Sequence, residues 1–307
     1  MGSSLALALF LMNSGHEVQV ITPSDYPDFL YWMPGHNEVM IYDNAIIGPA
    51  AEIVNAADII FCCDFNAPSR IEKFSQPVFS AKAVKVLIDH HLDPDDSFDL
   101  VFSYPKACAT CEIVYHLIKK LGGSDAVTSD VASCIYTGIM TDTGSFRFGS
   151  MTPDTHRIIA DCMEAGAINH LIHESVYDNY SFDRTRFLGY CINEKLVLLP
   201  EYNTAYIAVT DDELNRFNHK SGDTEGIVNY ALGIKGVRMA AFFCERDGMI
   251  KISFRSKGDF SVKELAGVHF SGGGHTNAAG GRSGLSLNDT ISKFLSLLPS
   301  YNEKLNP

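Results

Sequence analysis

Acidic and imidazole side chains stand at three places in the sequence, each expected at the end of a predicted strand or in the loop after it. Asp64 follows the run IIFCC, and the contiguous triplet Asp89-His90-His91 follows VKVLI, while Asp142 lies in a Thr-Asp-Thr-Gly segment. Because ligand sites of open α/β sheets collect at the carboxyl ends of strands, we expect these positions to converge on one crevice. Carboxylates with imidazole suit Mn²⁺ or Mg²⁺, and two such ions can clamp the oxygens of a phosphoryl transfer.

A second group of residues suits an anion rather than a cation. Three consecutive glycines, Gly272, Gly273 and Gly274, stand directly before His275. Glycines let backbone N–H groups approach an anion closely, and the imidazole can then donate to a phosphate. Nearby, Arg255 belongs to a run in which basic residues alternate, so that they share one face of a strand. The sequence therefore predicts a phosphate pocket here.

The elements that must position these residues change in character along the chain. The first two thirds alternates short apolar runs with helical patterns, which predicts a mostly parallel, doubly wound α/β sheet without its first strand. The clearest elements there are a helix over residues 3–15, strands over residues 17–22, 58–63 and 84–88, and a helix that starts at Pro153 with Thr152 as its N-cap.

The last third predicts a smaller α+β domain. Its signals are a strand over residues 204–209, capping boxes that begin at Thr210 and Ser261, a hairpin turn at Asp247-Gly248 and a final helix ending near Pro299. We expect a metal-binding domain over residues 1–190, whose last part, about 169–190, is a joining helix. The second domain would cover residues 191–307.

Composition excludes several classes of protein. The chain has 307 residues, a net charge of −13 and 46% apolar residues, which excludes a disordered tail and disfavours a protein that coats long duplex nucleic acid. Residues 223–282, however, carry eight Lys or Arg against six Asp or Glu, so positive charge is concentrated around the glycine triplet. Trp32 and the phenylalanines show no interleaving with basic residues of the kind that single-strand platforms use.

The same features predict where the protein works. The apolar run over residues 5–12 is much shorter than the roughly 20 residues of a membrane span and lacks the basic flank of a signal peptide. The eight cysteines lie in apolar contexts, as buried reduced thiols do. We expect a cytoplasmic protein without a membrane partner, and a homodimer is left open.

Two of these motifs resemble those of a known family. Residues 86–91, Val-Leu-Ile-Asp-His-His, with Asp64 before them and Asp142 after them, resemble the DHH phosphoesterases. The Gly-Gly-Gly-His motif at 272–275, followed by Ala-Ala-Gly-Gly at 278–281, resembles the family's DHH-associated C-terminal domain. The resemblance covers nearly the whole chain and is greatest to the bifunctional oligoribonuclease and 3′-phosphoadenosine-5′-phosphate phosphatase branch.

The resemblance implies a role for each residue of the first domain. Asp64 would bridge two Mn²⁺ ions, with Mg²⁺ as the other candidate metal, and His90 and Asp142 would complete the coordination of the second ion. Asp89 would orient the histidine from behind, and His91 would face the scissile phosphate.

In the second domain, the resemblance assigns substrate binding to Arg255, the three glycines and His275, which would hold the far end of the substrate.

One part of the family pattern is not among the 307 residues. Of the motif H-x-x-P-D-x-D-A-x-G-S-S, only Gly2-Ser3-Ser4 is present. The histidine and aspartates of that motif would hold the first metal and share the second. We expect Met1 to be an internal methionine of a longer protein, and a shortened chain or a misplaced start codon explains the pattern equally well. Chemistry that needs both ions should be weak in the chain as written.

The resulting hypothesis is a metal-dependent phosphoesterase that cleaves short oligoribonucleotides, nucleoside 3′,5′-bisphosphate or both, with hydroxide generated at the metal as the nucleophile. One alternative is a nucleotide-binding module without turnover. Others are a cyclic or linear dinucleotide phosphodiesterase, and a polyphosphatase or pyrophosphatase. The substrate, a short oligoribonucleotide or nucleotide, is the expected partner.

Overall fold

The protein divides into two compact units. The computed structural model describes residues 1–42, 46–246 and 248–306. Unit 1 is Met1–Asn179 and unit 2 is Tyr180–Pro307. This division comes earlier than the one expected after residue 190, because Phe187 packs against Phe217 in a core that belongs to unit 2.

Unit 1 has a parallel sheet between helices. Its helices are α1 (Gly2–Asn13), α2 (Ile47–Ala56), α3 (Ser75–Ser80), α4 (Thr110–Gly122), α5 (Ser129–Asp142), α6 (Pro153–Glu164) and α7 (Asn169–Tyr177). Its strands are β1 (Ile21–Thr22), β2 (Met40–Ile41), β3 (Ile59–Cys63), β4 (Val84–Asp89) and β5 (Leu100–Ser103). In the described part of unit 1, β1 pairs with β2, and β3, β4 and β5 form a three-stranded sheet with β4 in the middle, all parallel. The strand expected over residues 17–22 is therefore reduced to its last two residues.

Both faces of β4, the central strand of the β3–β4–β5 sheet, are covered, which confirms the doubly wound class, whereas Leu100 and Val101 of the edge strand β5 are about half exposed. Val86 and Ile88 face a core built mainly from α1, α4 and α5. Cys62 and Leu87 point the other way, into a core shared with α2 and α3. A strand that is buried on both faces needs a nearly continuous apolar run, which is why the sequence of β4 identifies it so clearly.

Unit 2 is built on a mixed sheet. Its helices are α8 (Phe182–Tyr190), α9 (Asp211–Arg216), α10 (Ile227–Leu232), α11 (Val262–His269) and α12 (Leu287–Leu305). Its strands are β6 (Leu196–Leu199), β7 (Thr204–Val209), β8 (Met239–Arg246), β9 (Met249–Ser256), β10 (Gly273–His275) and β11 (Ala278–Ser283). Within the described residues the order is β10-β11-β9-β8-β7-β6, with β7 and β8 parallel and the other neighbours antiparallel.

The helices of unit 2 cover the two faces of this sheet unequally. On one face, α11 and α12 bury residues of β8, β9 and β11 in a continuous core. On the other face, α8, α9 and α10 pack mainly over β7 and β8. Polar side chains of β9 and β11 on that second face, such as Lys251 and Arg282, stay exposed. Unit 2 therefore presents an open, basic half-face.

Several predicted elements need correction. The joining helix expected over residues 169–190 is two helices, because the Ser181 hydroxyl accepts from Arg184 N and starts α8 afresh. Helix α12 does not end near Pro299. It continues to Leu305, whose side chain is buried in the core. The antiparallel pairing of β8 and β9 fits the expected hairpin, although Asp247 of its turn lies outside the described residues.

The N-caps at Thr152, Thr210 and Ser261 are confirmed, and at Ser261 the structure describes the N-cap half of the expected box, in which the hydroxyl accepts from Glu264 N. Thr152 and Thr155 form a capping box before α6, and Thr210 and Glu213 form one before α9. No helix in the described ranges is both long enough and apolar enough to cross a membrane.

Candidate metal centre and anion-binding face

Strands β3 and β4 deliver two of the predicted groups to one edge of the unit 1 sheet. They run side by side and in the same direction, with Cys63 opposite Ile88. Asp64 is the first residue beyond β3, and its backbone N–H donates to the carbonyl of Ile88 at 3.1 Å. Its φ of 69° turns the chain sharply at this point. Few non-glycine residues adopt this conformation, and aspartate is among those that tolerate it best.

Asp142 arrives from a different kind of element than the sequence predicted. It is the last residue of helix α5 and does not follow a strand. The residues after it, Gly144, Ser145 and Phe146, all have a positive φ and reverse the chain at once. The Thr143 hydroxyl accepts from Phe146 N at 3.0 Å and thereby closes this turn. The carboxylate therefore stands at the negative end of a helix dipole, where a cation is favoured.

His90 joins the two carboxylates. Its Nε2 lies 3.3 Å from Asp142 Oδ2 and 3.7 Å from Asp64 Oδ1, and one donor atom from each of the three residues lies within 4.8 Å of the others. The other ring nitrogen, Nδ1, lies 3.2 Å from the carbonyl oxygen of Ala107. Since a carbonyl only accepts, Nδ1 carries the hydrogen and the lone pair of Nε2 faces the carboxylates, as a metal ligand requires.

The two carboxylates have pKa values displaced in opposite directions. Burial raises the pKa of Asp142 to about 6, and the Asp64 carboxylate adds to the rise while His90 opposes it. For Asp64, burial also acts upward, but the amino-terminal charge, the Thr110 hydroxyl and the nearby imidazoles hold its pKa below the usual range. Both side chains are about two-fifths exposed, so an ion can reach them from solvent.

Asp89 supports His91 rather than His90. It is fully buried at the end of β4, and its Oδ1 accepts from His91 Nδ1 at 2.7 Å. This bond and the Asp89 charge raise the pKa of His91 although burial acts in the opposite direction. The second oxygen, Oδ2, is buried without a hydrogen-bond partner among the described residues. An unpaired buried carboxylate oxygen costs free energy, so its presence beside a ligand cluster supports a nearby cation.

Residues that the sequence did not reveal hold this cluster in place. The Thr110 hydroxyl, at the first turn of α4, donates to Asp64 Oδ1 at 2.8 Å. Behind the Asp142 turn, Ser145 Oγ lies 3.2 Å from His173 Nε2, and His173 Nδ1 donates to the Asn169 carbonyl at 2.8 Å. Ser145 is therefore the donor in its pair. These contacts join positions far apart in sequence, and no local pattern marks them.

In unit 2, the predicted substrate residues share the open half-face of the sheet. Ala278 of β11 lies opposite His275 of β10 on one side and opposite Arg255 of β9 on the other. Residues in register on adjacent strands point to the same face, so the imidazole and the guanidinium belong to one row about 10 Å wide. Burial lowers the pKa of Arg255, and Glu225 opposes that change.

Two glycines of the triplet begin the edge strand β10, and Gly272 lies directly before it. Gly273 and Gly274 pair with Gly280 and Ala279 of β11. A Cβ on Gly272 would lie 2.0 Å from the carbonyl oxygen of Gly280, and a Cβ on Gly274 would lie 2.5 Å from that of Ala278. Gly274 also has a φ of 143°. The glycines are thus required for the close approach of β10 to β11. This approach fixes the backbone position of His275 at the end of β10.

Comparisons with known proteins follow the same two units. Residues 1–139 match the DHH family, N-terminal domain, and residues 202–301 match the DHHA1 domain. Two curated relatives share the printed description "Bifunctional oligoribonuclease and PAP phosphatase NrnA". The Bacillus subtilis protein is 28% identical over 72% of this chain and 69% of its own length, and the Thermus thermophilus protein is 28% identical over 96% and 83%.

A solved structure extends the likeness over the whole chain. The crystal structure of an exopolyphosphatase-related protein from Bacteroides fragilis is 38% identical, with a TM-score of 0.94. The match covers 100% of this chain and 89% of that one.

Proposed function

The chain belongs to the DHH family and carries a DHHA1 domain, and from this premise we propose that it is a metal-dependent phosphoesterase acting on short oligoribonucleotides, nucleoside 3′,5′-bisphosphate or both. The observation that carries the proposal is the convergence of Asp64, His90 and Asp142. The two NrnA relatives, described as oligoribonucleases and PAP phosphatases, support this choice of substrate.

The donor set fits a divalent metal ion. Two carboxylates and an imidazole, with the imidazole lone pair already directed at the carboxylates, match the ligands that Mn²⁺ accepts. Mg²⁺ is the weaker candidate because it prefers oxygen ligands and retains its waters. When bound, the metal would supply Lewis acidity, lowering the pKa of water and neutralising phosphoryl charge.

The remaining groups act on the substrate and its protons. His91, with Nδ1 donating to Asp89, presents Nε2 as the atom that can donate a hydrogen bond to a phosphoryl oxygen. The raised pKa of His91 favours the protonated, donating form. Asp89 keeps the ring in this orientation and stabilises its positive charge, as buried carboxylates do behind catalytic imidazoles.

Unit 2 would bind the part of the substrate that does not react. His275 and Arg255 lie in one row of the sheet, and the exposed Lys251 and Arg282 continue the same face in another row. Guanidinium and imidazole groups in such a row bind phosphates by charge-assisted hydrogen bonds. In a protein with a net charge of −13, this local concentration of positive charge favours a small anionic substrate.

The experiment measures products directly. The chain is incubated with Mn²⁺ and either a ribotrinucleotide or 3′-phosphoadenosine 5′-phosphate, and nucleoside monophosphate and phosphate are quantified by chromatography. The 307-residue chain is compared with a version extended at its amino terminus by an H-x-x-P-D-x-D-A segment, in which Met1 takes the position before Gly2, and Asp142→Asn serves as the matched control for each. We expect metal-dependent release of nucleoside monophosphate, stronger in the extended version and lost in the control.

Other substrates separate the alternatives. Cleavage of cyclic di-AMP in preference to the trinucleotide would indicate a cyclic dinucleotide phosphodiesterase. Cleavage of polyphosphate without regard to nucleosides would indicate a polyphosphatase. Nucleotide binding without any product, in a folded, extended protein with Mn²⁺ bound, would contradict the enzyme proposal and leave the binding module.

A further inference from the structure

Outside the two sites above, unit 2 has an unusual surface of arginines and aromatic rings. We name it the arginine–aromatic surface. It consists of Tyr180 just before α8, of Phe182, Arg184 and Arg186 in α8, and of Arg216 at the end of α9. The buried ring of Phe217 lies close to Arg186 and Arg216. In sequence, two aromatic residues at 180 and 182 are followed by two arginines at 184 and 186.

Each arginine lies over a ring. The Arg184 guanidinium is 3.7 Å from the centre of the Tyr180 ring. Arg186 lies 5.8 Å from both Phe182 and Phe217, and Arg216 lies 5.4 Å from Phe217. Such contacts hold guanidinium groups flat and leave their edges available for hydrogen bonds. Phe182 is 76% exposed, a high value for a phenylalanine in a folded unit.

The charges of these arginines are not cancelled by carboxylates. None of Arg184, Arg186 and Arg216 has an ion pair within 4.0 Å among the residues that the structure describes. The acids nearest in sequence are engaged elsewhere: Asp183 accepts from Asn218, and Glu213 pairs with Lys195. Three arginines without a carboxylate of a described residue within 4.0 Å, on one surface of a protein with a net charge of −13, are available to an anionic partner.

The arginine–aromatic surface lies on the substrate side of unit 2. Helices α8, α9 and α10 cover the same face of the sheet that presents Arg255. Arg184 Nη2 donates to the carbonyl of Glu225 at 3.2 Å, and the Glu225 carboxylate is close enough to Arg255 to affect its pKa. Glu225 therefore connects the two regions, so one polymeric ligand can reach both.

We propose that the arginine–aromatic surface binds single-stranded RNA, with Phe182 and Tyr180 stacking on bases and the arginines contacting phosphates. Exposed aromatic rings close to arginines are the elements of sequence-tolerant single-strand binding. The proposal rests on the proposed function for its substrate class and deepens it. RNA of several nucleotides can contact the row of Arg255 and several groups of this surface at once, so it gains affinity that a dinucleotide, with fewer bases and phosphates, does not.

The test measures binding without turnover. Fluorescence anisotropy is recorded for labelled oligouridylates of eight and two nucleotides, with EDTA present, on the wild type and on Phe182→Ala. Since base stacking contributes about 1–3 kcal/mol per base, we expect Phe182→Ala to weaken octanucleotide binding about 10-fold. The dinucleotide should change less than about 2-fold by the same reasoning. Phe182→Trp should restore octanucleotide binding.

The arginines are tested through their salt dependence. Arg186→Gln should lower the slope of log affinity against log salt by about 0.7 for the octanucleotide, because one phosphate contact to a single strand is lost. Phe182→Ala should leave the slope unchanged. The matched controls are Val268→Ala, an apolar side chain that is 73% exposed, and Arg157→Gln, whose side chain is 72% exposed; both should behave as wild type.

The outcomes separate this inference from the proposed function. The inference would be overturned if wild type, Phe182→Ala and Arg186→Gln bound the octanucleotide with the same affinity and melted at the same temperature. This holds even if hydrolysis is observed. Binding that depends on Phe182 and Arg186 in a protein without hydrolysis would uphold it and contradict only the enzyme proposal.

Discussion

The two candidate sites are built in opposite ways. In unit 1, donor atoms from three distant positions meet within 4.8 Å, and carboxylates dominate. In unit 2, basic side chains are spread in rows over an open half of a sheet. A small cation needs close convergence of ligands, whereas an extended anion needs repeated contacts along its length. From this difference we expect that substitutions in unit 1 change metal binding and that substitutions in unit 2 change substrate binding.

The largest expected effect is on the cation side. His90→Ala removes the ligand whose Nε2 faces both carboxylates. We expect Mn²⁺ affinity and the rate of hydrolysis each to fall at least about 100-fold. This loss is larger than the one expected when a residue that only supports a metal ligand is removed. Calorimetric titration with Mn²⁺ and product assays check this, with His156→Ala, on the helix α6, as an imidazole control. If His90→Ala kept the Mn²⁺ affinity of the wild type, the assignment of metal binding to this cluster would be wrong.

The corresponding change on the anion side is His275→Ala. Loss of one charge-assisted hydrogen bond to phosphate should raise KM for an oligoribonucleotide about 10-fold. The Mn²⁺ affinity should stay at the wild-type value, because no unit 1 ligand is altered. If His275→Ala and His90→Ala lowered metal affinity alike, the assignment of separate roles to the two units would be wrong.

A smaller effect is expected from Thr110, which supports the proposed metal centre of unit 1. Thr110→Val keeps the shape of the side chain but removes the hydroxyl that donates to Asp64. We expect Mn²⁺ affinity to fall about 5-fold, the size of one net hydrogen bond. The KM for substrate at saturating metal should be unchanged. A change in KM without a change in metal affinity would show that Thr110 acts on the substrate instead.

The smallest effect concerns stability alone. Glu213 accepts from Lys195 at 2.8 Å and closes the capping box of α9. Although burial acts upward, these contacts hold the Glu213 pKa below its usual value. The carboxylate therefore stabilises the fold above its unfolded-state pKa of about 4.3, and this contribution is lost as pH falls through the lower folded-state value.

Glu213→Gln should accordingly lower the free energy of unfolding by about 1 kcal/mol at pH 7, with a smaller difference near pH 3. Urea denaturation at both pH values measures it, and Mn²⁺ affinity should not change. An equal loss of stability at pH 3 and pH 7 would show that the charge of Glu213 is not responsible.

The sequence predicted best where one local pattern determines an element. Strand β4 is buried on both faces, so its apolar run identified it, and the acids that follow marked the end of the sheet. The N-cap at Thr152 and the capping box at Thr210 predicted helix starts for the same reason, since the residues that interact lie within one turn of the helix start.

The sequence predicted less where partners are distant. The placement of Asp142 at a helix end follows from the packing of α5 against α1 and α4, which no spacing shows. The contacts of Thr110 with Asp64 and of Ser145 with His173 join residues 46 and 28 positions apart. The arginine–aromatic surface also depends on a distant partner, because Arg186 of α8 and Arg216 of α9 both lie near the ring of Phe217.

The position of Asp142 at the end of α5 has a thermodynamic consequence. Without a cation, two carboxylates and the last carbonyls of a helix repel one another in a small volume, and the fold bears that cost. Ion binding relieves this repulsion only in the native state. The melting temperature should therefore rise with Mn²⁺ concentration. At 100 times the dissociation constant, bound Mn²⁺ adds about 2.7 kcal/mol to the free energy of unfolding. The availability of metal would then govern how long the protein persists as well as whether it works.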